Sequence, residues 1–62
     1  MTIDQIVHYL GPDLVDELAD LPISELEHRK VEVEKEINRL PNGSTNQFIA
    51  NVELKFINHL LS

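Results

Sequence analysis

The stretch "FIANVELKFINHLLS", Phe48–Ser62, decides how this chain must fold. Stepped at about 100° per residue, Phe48, Ile49, Ala50, Val52, Leu54, Phe56, Ile57, Leu60 and Leu61 spread over roughly 240° of a helix circumference. An ordinary surface helix shows an apolar stripe of about 100°. Gln47, Asn51, Lys55 and Asn58 share the remaining sector. A helix clad this way needs cover on two sides. One side suits a partner helix. The second, around Ala50, Leu54, Ile57 and Leu61, requires either the N-terminal segments folded back over it or a second chain.

The partner helix lies immediately upstream. "ELEHRKVEVEKEINRL", Glu25–Leu40, carries a narrow apolar stripe of Leu26, Val33, Ile37 and Leu40, close to a coiled-coil seam. Val31 lies off it. Glu25–Arg29, Glu32–Lys35 and Glu36–Arg39 are spaced to pair along the wet side. Ser24 with Glu27, and Ser44 with Gln47, have capping-box spacing and mark the two helix starts. Between the helices, "PNGST" (41–45) is a turn with Pro41 as breaker and Asn42-Gly43 suited to positive φ. Two helices of roughly 24 Å joined so briefly make an antiparallel hairpin.

Ahead of the hairpin, Thr2 and Gln5 form another capping box, and Ile3, Ile6, Val7 and Leu10 share one helical face. Gly11 suits the residue after a helix, and Pro12 the first turn of the next, "PDLVDELADL". Leu14, Leu18 and Leu21 form its apolar side, widened by Val15 and Ala19. The expectation is one all-α domain spanning 1–62, with helices at about 3–10, 13–21, 25–40 and 45–61. Two short N-terminal helices precede an antiparallel hairpin, and two copies pair in a helical-bundle homodimer.

Composition supplies the motive for pairing. A chain of 62 residues buries only about 60% of the surface its unfolded form exposes. Small domains add disulfides, a metal or a partner subunit. Cysteine is absent, which excludes the first, and His8, His28 and His59 lack zinc-ligand spacing. A partner subunit remains, with Phe48, Ala50, Glu53, Leu54, Phe56, Ile57 and Leu61 as the expected interface. No cofactor or metal is expected. No apolar run approaches a membrane span, and the N-terminus lacks a basic leader, so the expected setting is the cytoplasm.

The net charge of −6 argues against nucleic acid as a direct ligand, because phosphate binding needs clustered bases. The excess is local. Residues 1–22 hold Asp4, Asp13, Asp16, Glu17 and Asp20 with no Lys or Arg; residues 23–62 hold six acids against five bases. Asp13, Asp16, Glu17 and Asp20 share one helix side. They read as a solvated face that keeps the chain dissolved, or as a docking surface for a basic protein. In the extreme form of the second reading they mimic the phosphate spacing of DNA, as small phage-type inhibitors do.

Catalytic motifs are missing: the sequence has no phosphate loop, nucleophile elbow or metal-binding helix motif. Asn51-Val52-Glu53-Leu54-Lys55 resembles the S-Q-E-L-D signature of the Spo0E-like aspartyl-phosphate phosphatases, which carry it in the second helix of a short hairpin. Glu53 and Leu54 match. The family's serine is Asn51 here and its functional aspartate is Lys55, a reversal of charge that leaves the activity uncarried. The expected function is therefore a small acidic, non-enzymatic interaction or regulatory module acting as a dimer. An acidic decoy is its alternative, and a hairpin phosphatase the third reading.

Three roles remain to be tested against the structure. Tyr9 is expected to seal the edge of the core, and His59 to be part-buried beside Phe56 and Leu60. Glu53, inside the apolar arc, carries a desolvation penalty of several kcal/mol if left alone. It can pair with a base, mark a seam where packed faces meet water, or stay protonated. Counting outward from the turn sets it level with Lys30–Val33, so a Glu53–Lys30 contact, within the chain or across the dimer, is expected.

Overall fold

The computed structural model describes every residue, Met1–Ser62. It is all-helical: α1 (Ile3–Leu10), α2 (Pro12–Asp20), α3 (Ile23–Arg39) and α4 (Thr45–Leu61). Helix covers 82% of the chain and there are no strands. The long helices α3 and α4 pack on each other, α1 packs on α4, and α2 follows α1.

Three short joints set these directions. Thr2 caps α1 as its spacing indicates: the Gln5 amide donates to Thr2 Oγ1 and the Thr2 amide to Gln5 Oε1. Gly11 is the whole connection from α1 to α2. Its amide donates to the Val7 carbonyl, closing one helix, while its carbonyl accepts from Val15, opening the next. Its φ of +90° is a conformation that costs an L side chain and costs glycine little. Pro12 takes the first position of α2, where no amide is needed.

The start of α3 departs from expectation. Ser24 is not its cap. The helix begins at Ile23, and the Pro22 carbonyl accepts from the Glu25 and Leu26 amides at 3.0 Å each. No side chain caps this end. Pro22 has a fixed φ and no amide to satisfy, so it enters a helix two residues earlier than a serine-based reading allows.

Ser44 does cap α4, accepting from the Gln47 amide at 3.1 Å. The return half of that box is missing, because the Gln47 side chain is engaged in the turn. Its Oε1 accepts from the Gly43 amide at 2.8 Å, and its Nε2 donates to Asn42 Oδ1 at 3.2 Å and the Ile37 carbonyl at 3.4 Å. Of Asn42 and Gly43, Gly43 alone takes positive φ, at +80°.

The core consists of Ile6 from α1, Leu18 from α2, Leu26 and Val33 from α3, and Ala50, Val52, Phe56 and Ile57 from α4. Ile37 and Leu40 are half-buried against it, so the narrow α3 stripe reads correctly. Half of the core comes from α4, which is why its arc is so wide. Every residue of that arc except Phe48 is buried or half-buried within the single chain. The folded chain exposes 4348 Å², against about 4,100 Å² for a typical closed monomer of this mass. One chain therefore closes its own core.

Candidate interaction surface

The expected interface on α4 is largely occupied, and by a different neighbour from the one expected. Ala50 lies in a groove with Val33, Glu36 and Leu40 of α3. Leu54 lies beside Glu34, Ile37 and Asn38 of the same helix, and Leu61 beside Ile23, Glu27, Lys30 and Val31. The face thought to need extra cover is thus the one that α3 takes. On the other flank α1 supplies the lid. Phe56 and Ile57 are buried in the core.

What remains open lies at the edge of that lid. Tyr9 of α1 and Phe48 of α4 meet edge-to-face, ring centroids 4.9 Å apart and planes at 77°. His8 stacks edge-on against Tyr9, at 5.3 Å and 75°. Edge-to-face geometry sets the positive rim of one ring on the negative face of the other. Tyr9 and Phe48 are still 42% and 45% exposed. Ile3 is exposed on the same helix as Tyr9. A second open strip lies on α3, where Ile23 is 66% exposed and Val31 is also exposed.

Glu53 has found a base, one residue from the expected one. Arg29 Nε donates to Glu53 Oε2 at 2.9 Å. The carboxylate is 13% exposed and the guanidinium side chain 37%. The reason is the side of each helix that faces the other. Glu53 shares its flank of α4 with Asn46, Ile49 and Ala50, and that flank meets Val33, Glu36 and Leu40 of α3. Arg29 precedes Val33 by four residues and so lies on the meeting flank. Lys30 is turned about 100° away, beside Leu61.

That choice rearranges the surface charges. None of the three expected pairs on α3 forms. Arg29 turns inward rather than to Glu25, and Glu32 meets His28 Nε2 at 3.0 Å instead of Lys35. His59 is exposed rather than part-buried, and its carbonyl accepts from the Ser62 hydroxyl.

Asp13, Asp16, Glu17 and Asp20 are all exposed along α2, and none is in an ion pair. Asp13 lies in the first turn, where the helix dipole favours a carboxylate. No three acids or imidazoles come together in a way that would hold a metal ion. At the phosphatase-like segment, Glu53 is bound to Arg29, and Asn51 and Lys55 are exposed. Asn51 Nδ2 donates to the Gln47 carbonyl one turn back.

No buried side-chain nitrogen or oxygen lacks a hydrogen-bond partner. No helix is long and apolar enough to cross a membrane. No family model matches the chain, and neither a curated protein nor a solved structure matches it.

Proposed function

We propose that the chain is a small acidic, non-enzymatic protein–protein interaction or regulatory module that acts as a homodimer through its Tyr9–Phe48 edge. The observation that carries this reading is the aromatic pair itself, stacked and still about half exposed at the lip of a closed core. Aromatic side chains dominate the energetic centres of protein interfaces, because they bury much apolar area with few rotatable bonds. The docking edge proposed here retains Phe48 from the expected interface and exchanges the rest, which α3 and α1 already cover, for Tyr9. Light scattering tests it. A mass twice the 7.1 kDa of the chain is expected, falling to the monomer value in Tyr9→Ser/Phe48→Ser with helix content kept. A wild-type monomer at tens of micromolar overturns the dimer.

A second reading has an observation of its own. The four α2 acids are exposed and paired with no base of their own chain, as a decoy for a basic nucleic-acid-binding protein would require. Salt separates the two. Apolar docking survives high salt, whereas a partner held by exposed charges is released within a few hundred millimolar.

A further inference from the structure

Asn42-Gly43 is the one Asn-Gly step in this chain, and a single side chain holds both reacting groups. The reaction is deamidation. The Gly43 amide nitrogen loses its proton and attacks Cγ of Asn42, and ammonia leaves as a five-membered imide closes. Water then opens the imide to aspartate or isoaspartate, so the net exchange is water in and ammonia out. The step needs an unhindered following residue, a free backbone N–H and a side chain able to swing onto it.

Asn42 meets the first condition alone among the five asparagines. Asn38, Asn46, Asn51 and Asn58 all lie within α3 or α4 and precede larger side chains. Asn42 is exposed, lies in the turn between the two long helices and precedes glycine.

The other two conditions are blocked by Gln47. Its Oε1 accepts the Gly43 N–H at 2.8 Å, holding the proton that must leave. Its Nε2 donates to Asn42 Oδ1 at 3.2 Å, holding the carboxamide that must swing. One amide therefore restrains nucleophile and electrophile together. Gln47 is in turn positioned by the α4 cap, its own amide donating to Ser44. We infer that Asn42 is the chain's spontaneous modification site and that Gln47 is the positioning residue that sets its rate. Fraying of the first turn of α4 would release both groups at once, so the modification would record how often that turn opens.

The test is peptide mapping by mass spectrometry after incubation of the full chain at mildly alkaline pH, with the chain in denaturant as the unprotected reference. Folded wild type is expected to convert Asn42 more slowly than the reference. Gln47→Ala is expected to raise the folded-state rate about three- to tenfold, the population change that a net hydrogen-bond free energy produces. Asn38, Asn46, Asn51 and Asn58 should not change. A folded wild-type rate equal to the reference rate overturns the inference. So does an unchanged Asn42 rate in a helical Gln47→Ala protein. Should Gln47→Ala unfold, Gln47→Glu decides, because it keeps an acceptor for the Gly43 N–H. Continued protection supports the guard, and conversion at the reference rate overturns it.

Discussion

At the scale of single residues, the Arg29–Glu53 pair has the most to lose. A hydrogen bond between charged groups is worth about 1.5–3 kcal/mol net, and removing one partner of a buried pair costs more because the other is stranded. Arg29 is partly in water, so it can turn outward when deserted, which lowers the penalty. Glu53→Ala and Arg29→Ala should each lower stability by about 1–2 kcal/mol in urea unfolding. The double variant should fall short of their sum by about 1 kcal/mol, while Lys30→Ala should change almost nothing. An additive cycle would show the bond to be decorative. That Glu53 needs a base, a wet seam or a proton was legible in the sequence, since a lone ionised carboxylate inside an apolar arc is costly. Which base was not legible. Arg29 and Lys30 are adjacent in sequence and about 100° apart on the helix, and only the packed flank of α3 distinguishes them.

Individual helices show the same division between what is local and what is not. Ser24 and Ser44 have identical capping-box spacing, yet only Ser44 accepts a backbone amide. Ser44→Ala should therefore cost about 1 kcal/mol, and Ser24→Ala should stay within about 0.5 kcal/mol, as surface changes away from a cap do. Equal losses at both sites would mean that the α3 start is misplaced. The local rule failed at Ser24 because the helix already starts at Ile23, with the Pro22 carbonyl accepting from Glu25 and Leu26, so Ser24 lies inside the first turn. The joint at Gly11 is a stricter case, being the only residue between two helices. Its Cβ would meet no atom within 4 Å, so space is not the constraint. The φ of +90° is. Gly11→Ala should thus destabilise by about 1 kcal/mol or more through backbone strain alone, measurable as a lower thermal midpoint without loss of helix at low temperature.

For the whole molecule, the question is how a short chain shares one apolar helix among three others. The breadth of the α4 arc, and hence the need for two neighbours, was readable from periodicity. Which neighbour takes which flank was not, because α1 and α3 both offer narrow stripes and a wheel diagram carries no depth. The eight buried residues make a small core, so further cover on the Tyr9–Phe48 edge would add usefully to stability. Dilution should therefore lower the thermal midpoint if the homodimer is real, because association couples folding to protomer concentration. A midpoint independent of concentration argues for a monomer. Neutralising Asp13, Asp16, Glu17 and Asp20 to Asn or Gln should leave that midpoint nearly unchanged, since exposed charges add little. It should abolish binding only if the partner is basic, and retention of that partner would return the face to simple solvation.

The packing of α1 against α4 also has a consequence in time. Synthesis runs from the N-terminus at about 5–20 residues per second, so α1 is made before α4. Its lid partner, Phe48 with the helix behind it, follows only after α2 and α3. A nascent chain carrying only α1 and α2 has Ile6 and Tyr9 in place without the α4 side of their packing. Helices α3 and α4 are neighbours in sequence and meet early, but α1 and α4 meet across two intervening helices, a slower kind of contact. No growing fragment that lacks α4 is a smaller version of this fold, and the early helices must wait, exposed, for the late one.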